Sequence, residues 1–360
     1  MGKQDKDRFQ KELAVRYCLA VGSIPFVEVI TKSTSTLTQH VEVLTDLDVV
    51  GLETNADGSQ TRTFFDCKSG SRMSAINRAL WAAGVLAYTD YDRAHVILKK
   101  TPVLNHRLSA LSIGVDLHDE TSFRALGSVF DPAFPSDRYY QSSLTRWDAL
   151  SDAYAKYGWS TRLRDIVGSD VPLTHDPART FRRILSALKE VRGELDPGKS
   201  EHVGLFFDVL ASVMVLWARI GGDIGRFYMP GMPKAEFESV LRFYMWGGRD
   251  AHKLMQQLRG VKDQKDANSF ELPAWPALVK FAGLTVGAPT GSLAGAHAFR
   301  EMALRAVSES APDKDEELAL RFRTNKRLLQ FTLSTADYIV AACGLPMDFS
   351  KLATSQLAIA

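Results

Sequence analysis

Two acidic clusters and a lysine lie close together in the sequence, in the segments TDLDVV and FFDCKSG. Asp46 and Asp48 come just before a pair of valines, and Asp66 and Lys68 flank Cys67 just after a pair of phenylalanines. Because side chains alternate across a strand, Asp46 and Asp48 share one face, as do Asp66 and Lys68. A hairpin that pairs the two strands can therefore bring Asp48, Asp66 and Lys68 together.

Such a group of side chains predicts a metal site. Two carboxylates that converge at a strand end repel each other unless positive charge lies between them. Mg²⁺ (or Mn²⁺) fits, because it is a hard ion commonly held by carboxylates, waters and a substrate phosphate. The predicted ligands are Asp48 and Asp66, together with the peptide carbonyl of Cys67, and Asp46 is either a further ligand or a solvated acid. Lys68 would orient the attacking water or steady a phosphodiester during hydrolysis, and we expect its ammonium to stay charged.

The elements that must position these residues follow from hydrophobic periodicity. The predicted order is helix, three strands, helix, strand, helix and strand, which is typical of a small α/β domain with a mixed sheet. Glu28 and Glu42 lie on neighbouring strands and could also approach the acids. The predicted ranges are 7–20, 25–32, 41–53, 62–68, 71–88, 94–99, 106–113 and 114–117.

The remainder of the chain has a helical pattern. Two prolines within residues 128–138 indicate a boundary, so the predicted domains are 1–127 and 128–360. The glycine-rich stretch 283–298 predicts a long flexible connector. Helical periods occur at 144–156, 178–192, 202–220, 234–259, 295–309 and 314–343.

Composition limits the class of protein. The 360 residues carry a formal net charge of +2, which by itself predicts neither a nucleic-acid nor a membrane partner. Cys18, Cys67 and Cys343 lack zinc-ligand spacing, so we expect reduced thiols in a cytoplasmic protein. The apolar segment 203–218 is shorter than the ~20 residues of a membrane span, and Asp208 interrupts it, which favours a buried core helix.

The acidic motif resembles that of the PD-(D/E)xK nuclease superfamily, which includes Mrr-like restriction enzymes. That family has an acid at the end of one strand, then an acid, any residue and a lysine on the next. Here these residues are Asp48, Asp66 and Lys68. A helical glutamate often precedes the first strand in the family, and Glu12 lies at that place. The resemblance covers residues 7–125 and extends to the order of elements after the lysine, but Asp46 occupies a position that is often proline or uncharged.

The resemblance implies a restriction-endonuclease-like α/β domain followed by a mostly α-helical domain. It also implies a Mg²⁺-dependent DNA endonuclease of prokaryotic restriction or anti-phage defence, in which a homodimer would cut both strands. Ser69 and Arg72 follow the lysine and could contact a substrate phosphate. The helical domain would recognise substrate, sense a trigger or bind a partner protein. Two alternatives stay open, a catalytically inert nuclease-like scaffold in a multi-protein complex and an RNA-cutting effector.

Overall fold

The structure, a computed structural model, has an α/β architecture with one mixed five-stranded sheet and a mostly helical remainder. It describes residues 6–33, 41–70, 74–134, 136–260, 271–308, 315, 319–320, 322 and 324–358. The chain divides into two compact units, which we call the sheet unit and the helical unit. The sheet unit comprises Met1–Glu53, Gln60–Ser151 and Gly168–Leu173, and the helical unit comprises Thr54–Ser59, Asp152–Val167 and Thr174–Ala360.

The sheet consists of five strands, β1 (Ile24–Lys32), β2 (Val43–Thr54), β3 (Gln60–Lys68), β4 (Arg93–Leu98) and β5 (Val115–Asp119), which lie side by side in this order. Strands β1 and β2 are antiparallel, whereas β4 runs parallel to both β3 and β5. The helices of this part are α1 (Arg8–Ala20), α2 (Ala75–Thr89), α3 (Leu104–Leu111), α4 (Glu120–Phe130) and α5 (Leu144–Lys156). Helix α2 connects β3 to β4 and α3 connects β4 to β5, so the predicted order of elements is confirmed.

The central strand β3 presents apolar rings to both faces of the sheet. On one face the ring of Phe65 lies 5.8 Å from Tyr17 of α1 and 6.1 Å from Phe123 of α4, centroid to centroid. On the other face the ring of Phe64 lies 6.3 Å from Trp81 of α2. Two apolar layers therefore fix the alternation of β3, which confirms the prediction that Phe65 faces a packed helix.

A histidine is part of the apolar layer beneath α1 and α4. The His95 ring stacks on Phe65 with centroids 5.2 Å apart, and its Nδ1 lies 3.4 Å from Nε2 of His118. Oδ2 of Asp116 lies 3.8 Å from the same nitrogen. Burial, followed by the neighbouring His118, lowers the pKa of His95 to about 3. His95 is therefore a neutral core side chain at neutral pH.

Acid is expected to destabilise the sheet unit through His95. The unfolded chain binds a proton near the ordinary pKa of about 6.5, whereas the folded chain binds it only near pH 3, so the stabilisation falls as pH drops between these values. Between about pH 6.5 and pH 3, the free energy of unfolding should fall by about 1.4 kcal/mol for each pH unit. Urea denaturation at several pH values measures it. His95→Phe keeps the ring stack without the proton site, so this variant should show a shallower acid dependence; equal slopes would contradict the prediction.

The sheet unit extends beyond the boundary predicted at residue 127. Arg8 of α1 donates from Nη1 to Oδ2 of Asp148 at 2.7 Å, and Arg16 donates from Nε to the carbonyl of Ser142 at 3.1 Å. These bonds attach the segment after α4 to α1. Pro132 therefore lies in a turn within the unit, which continues to Ser151, whereas Pro135 lies outside the described residues.

The outer side of β1 is covered by a distant part of the chain. The backbone N–H of Ile30 donates to Oγ of Ser169 at 3.1 Å, and the hydroxyl of Tyr91 donates to the carbonyl of Pro172 at 2.9 Å. Segment Gly168–Leu173 accordingly belongs to the sheet unit although it is distant in sequence. A strand edge that lies next to such a segment has fewer unpaired backbone groups.

The helical unit is built around one long apolar helix, α9 (Ser200–Gly225). Among the described residues only this helix is long and apolar enough to span a membrane, yet 94% of its most apolar stretch is buried in the structure, as predicted for a core helix. The other helices of this unit are α6 (Thr161–Asp165), α8 (Pro177–Glu190), α10 (Lys234–Trp246), α11 (Arg249–Gly260), α12 (Trp275–Val286), α13 (Pro289–Ala306), α14 (Lys326–Cys343) and α15 (Asp348–Ala358), whereas α7 (Val171–Leu173) belongs to the sheet unit.

The prediction of a flexible connector over 283–298 was wrong. Helix α12 runs to Val286 and α13 begins at Pro289. The glycines of α13 serve close packing, because a Cβ at Gly291 would lie 2.7 Å from the Phe331 ring and one at Gly295 would lie 2.5 Å from Cε of Met214. Small residues at helix contacts therefore produced a composition that is typical of a linker.

Two other predicted helices differ in their bounds. The helix predicted over 234–259 is interrupted at Gly247, whose φ of 79° ends α10 in the left-handed region that suits glycine. The helix predicted over 314–343 corresponds to α14, and much of its first part lies outside the described residues.

The acid that interrupts the apolar helix α9 is paired. Oδ1 of Asp208 lies 3.0 Å from Nε of Arg300 in α13, and Oδ2 accepts a hydrogen bond of 2.9 Å from the hydroxyl of Tyr154. Asp208 and Arg300 are each 2% exposed. Burial raises the pKa of Asp208 although Arg300 and Tyr154 oppose the shift. A charge in this core is thus accommodated by specific partners.

Candidate metal centre

Asp48 lies near the middle of β2 in a buried environment. Its exposed fraction is 5%, and the following Val49 and Val50 are fully buried. Oδ2 of Asp48 accepts a hydrogen bond of 2.8 Å from the backbone N–H of Cys67 and one of 2.9 Å from Nζ of Lys68. The carboxylate is therefore fixed against β3. Burial raises the pKa of Asp48, and Lys68, the Cys67 amide and Lys11 partly offset this effect.

Lys68 joins the two acids of the predicted motif. Its Nζ lies 2.9 Å from Oδ2 of Asp48 and 3.3 Å from Oδ1 of Asp66. Because one ammonium contacts both carboxylates, all three side chains converge at one place on the sheet. Burial alone would lower the pKa of Lys68, but the charges of Asp48 and Asp66 outweigh it and the pKa is raised. Lys68 is therefore charged at neutral pH.

Asp66 is already paired with an arginine of α2. Nε of Arg78 donates to Oδ2 of Asp66 at 2.7 Å, and Nη2 of Arg78 donates to the other carboxylate oxygen. The guanidinium also lies 4.0 Å above the ring of Trp81. A bidentate guanidinium neutralises a carboxylate and fixes its orientation. Asp66, predicted as a metal ligand, is thus held primarily by cations, and nothing in the sequence distinguished Arg78.

The acids that cluster in space are Glu28, Asp46 and Asp48. Each offers one carboxylate oxygen, and these oxygens lie within 4.8 Å of one another. Asp48 is buried, whereas Glu28 and Asp46 are exposed. The cluster includes the predicted candidate Asp46 and the neighbouring-strand Glu28, but not Asp66. The other neighbouring acid, Glu42, lies just before β2.

The register of β1 and β2 explains how Glu28 reaches Asp48. Val27 pairs with Val49 and Val29 pairs with Leu47, so Glu28 lies opposite Asp48. Glu28 has a φ of 56°, in the left-handed region. For a residue other than glycine this conformation costs about 1–3 kcal/mol. A locally strained backbone therefore brings this carboxylate to the cluster.

Lys11, and not Glu12, is the residue of α1 that reaches the acids. Nζ of Lys11 hydrogen-bonds to the carboxylate of Glu28 and lies 3.4 Å from Oδ1 of Asp48. Glu12 instead accepts from the backbone N–H of Leu144 at 3.4 Å and lies 3.5 Å from Nη2 of Arg16. Successive residues of a helix point about 100° apart, so the two cannot face the same place. The structure therefore brings Lys11 to the acids and does not bring the predicted Glu12 to them, so a role of Glu12 stays a prediction.

The other predicted site residues have separate outcomes. The backbone N–H of Ser69 donates to Oδ1 of Asp7 at 2.6 Å. Arg72 lies outside the described residues. Burial, followed by Asp48 and Asp66, raises the pKa of the Cys67 thiol well above its usual range, so this thiol is a protonated core group. The contact between Cys67 and Asp48 is made by the backbone N–H of Cys67.

The donor set of this cluster suits a small divalent cation. Mg²⁺ and Mn²⁺ prefer carboxylate and water oxygens, and three carboxylates within 4.8 Å supply such donors. Cations surround Asp48 because a buried carboxylate that has lost its hydration must be stabilised by nearby positive charge.

Comparisons with known proteins add no relatives. No family model, no curated protein and no solved structure matches this chain. The functional assignment therefore depends on the geometry of the site and on the motif.

Proposed function

We propose that the chain is a metal-dependent nuclease that hydrolyses phosphodiester bonds. The observation that supports this proposal is the position of Asp48. It contacts the ammonium of Lys68 on one side and belongs to the acidic cluster of Glu28 and Asp46 on the other. A cation site and a charged lysine beside it are the two components that phosphodiester hydrolysis needs.

Each side chain then has a separate role. Glu28, Asp46 and Asp48 would hold the ion, which differs from the set inferred from the motif. A bound Mg²⁺ or Mn²⁺ supplies charge neutralisation at the phosphate and lowers the pKa of a water. Lys68 donates to a phosphate oxygen or orients the attacking water. Asp66, itself fixed by Arg78, positions the Lys68 ammonium, because its Oδ1 lies 3.3 Å from Nζ.

The substrate class is proposed from the motif resemblance. DNA is the favoured polymer, and the enzyme would act in the cytoplasm as an endonuclease of prokaryotic restriction or anti-phage defence. The helical unit, with its own core around α9, would recognise the substrate, the trigger or a partner protein.

The direct test compares plasmid cleavage by the wild-type protein and by Lys68→Ala with Mg²⁺ or Mn²⁺. The wild type should nick or linearise the plasmid, and the variant should be slower by about 10²–10³-fold, as for the loss of one donor to a developing charge. Chelation of the metal should abolish the wild-type activity. Parallel digestion of single-stranded RNA, single-stranded DNA and duplex DNA identifies the substrate. Equal nicking by the two proteins would eliminate the nuclease proposal.

A second candidate function follows from the cations around the acids. Lys11 contacts Glu28 and Asp48, Lys68 contacts Asp48, and Arg78 contacts Asp66. These pairs neutralise the carboxylates without a metal, as an inert nuclease-like scaffold would require. Under this alternative the wild-type protein cleaves no nucleic acid, and Mn²⁺ does not raise its unfolding temperature. The nuclease proposal expects the opposite for both measurements.

A further inference from the structure

Helix α3 presents a row of leucines to solvent. The exposed fractions of Leu104, Leu108 and Leu111 are 66%, 56% and 63%. Positions i, i+4 and i+7 lie on one side of a helix, so these side chains form one continuous stripe. Val103 and Ile113 flank the helix, are 59% and 37% exposed, and are also apolar. We call these five residues the α3 stripe.

The amphipathic pattern of α3 is inverted relative to an ordinary surface helix. Ala110 is the buried residue of this helix, and His106 is half-buried. Both lie on the side opposite the leucines, since their helical positions differ from the stripe by about half a turn. The sheet unit thus packs against the small side of α3 and leaves its three large apolar side chains outside. An isolated helix of this length gains little stability by itself.

The apolar area of the α3 stripe is that expected for one side of a protein dimer interface. Five side chains at these exposures present on the order of 500 Å² of apolar surface, at the upper end of what one patch on a monomer usually shows. A standard dimer interface covers about 800 Å² per partner, of which somewhat more than half is apolar, so the stripe matches the apolar part of one partner's share.

The low charge of α3 argues against nucleic acid and against a membrane surface as the ligand of the α3 stripe. Residues 103–113 contain one charged residue, Arg107. Nucleic acid requires several cations along its phosphates. A helix that lies on a membrane combines an apolar face with a Lys- and Arg-rich polar face, whereas α3 contains no lysine and only one arginine, Arg107.

We propose that the α3 stripe is the interface between two copies of this chain. In a two-fold arrangement the same stripe serves both partners, and two copies of α3 pack side by side with Leu108 near the centre. The α3 stripe of one copy would then be buried against the α3 stripe of the other. This contact supplies the apolar surroundings that the sheet unit does not provide for these leucines. This interface does not depend on the nuclease proposal, because no residue of the candidate metal centre takes part.

The oligomeric state in solution tests the interface. Sedimentation velocity over a wide range of protein concentration should show wild-type particles of twice the chain mass. Leu104→Lys/Leu108→Lys should be monomeric, because four buried lysines would face one another across the interface. Val129→Lys is the matched control, since Val129 is 78% exposed on α4, outside the stripe, and this variant should remain dimeric. Lys68→Ala should also remain dimeric, which separates this test from that of the nuclease.

A cross-link provides a second measurement that does not require the double variant to fold. Cys18, Cys67 and Cys343 are free and buried, so an added surface thiol is chemically distinct from them. Leu108→Cys should form an intermolecular disulfide under mild oxidation, and Val129→Cys should not. A monomeric wild type at all concentrations, a dimeric double variant, or equal cross-linking at both positions would overturn the proposal.

Discussion

Replacing Asp48 with asparagine is expected to lower metal-dependent cleavage by about 10³-fold or more. Asp48 is the carboxylate that belongs to the acidic cluster and also contacts Lys68, so its charge serves both the ion and the lysine. A bound ion contributes several kcal/mol to phosphodiester hydrolysis, and each 1.36 kcal/mol is about a factor of ten in rate. Asparagine keeps the size of the side chain and can still accept from the Cys67 amide. Initial rates of plasmid nicking at saturating Mn²⁺ measure the effect.

Asp152→Asn is the control for this experiment. Asp152 is exposed at the surface of α5, and its replacement makes the same change of one charge. It should cleave at the wild-type rate. The increase of unfolding temperature caused by Mn²⁺ should be smaller in Asp48→Asn than in Asp152→Asn, because this readout follows metal binding without catalysis. If Asp48→Asn cleaved like the wild type, Asp48 would have no place in the reaction.

Replacing Lys11 with methionine is expected to destabilise the metal-free protein by about 3 kcal/mol. The side chain of Lys11 is 8% exposed and that of Asp48 is 6% exposed, so the loss leaves a buried carboxylate with less positive charge. Removal of one partner from a buried ion pair typically costs about 3–5 kcal/mol, and the half-exposed Glu28 places this case at the lower end. A divalent cation in the acidic cluster can supply the missing charge. Mn²⁺ should therefore stabilise Lys11→Met more than the wild type.

Urea unfolding with Mn²⁺ and with a chelator measures both parts of this prediction. Lys100→Met is the control, since Lys100 is exposed after β4 and its loss should change stability little. Destabilisation of Lys11→Met without recovery by Mn²⁺ would indicate that the cluster binds no ion and would favour the inert scaffold. A variant as stable as the wild type would show that the Lys11 pair contributes nothing.

The convergence of Asp48, Asp66 and Lys68 could be predicted from the sequence because it depends on local rules. Alternation along each strand and a short hairpin are enough to place these side chains on one face. The same rules indicated that Phe65 packs under a helix. These features require only period-two patterns and a turn, both of which are visible in the sequence.

The remaining parts of the site depend on features that periodicity does not encode. Glu28 reaches the cluster through a left-handed backbone conformation in a strand, which the residue type argues against. The choice between Lys11 and Glu12 depends on the rotation of α1 about its axis, and one residue changes the direction by about 100°. Arg78 approaches Asp66 from α2, and this contact arises from tertiary packing.

The helical unit shows a different kind of error. Glycines indicate flexibility when they lie in an exposed segment and close packing when they lie in a helix contact, and composition alone does not separate the two. Gly291 and Gly295 are of the second kind. Recognition of the helices α12 and α13 would have required knowledge of which helices lie beside them.

The edges of the sheet limit how this protein can associate. Strand β1 carries Pro25, a left-handed Glu28 and an irregular register near Lys32, and Ser169 already accepts from its Ile30 amide. The opposite edge, β5, has five residues. An interrupted edge such as β1 and a short edge such as β5 are both poor templates for another strand. The sheet should therefore resist edge-to-edge aggregation, and contacts between molecules are left to helices.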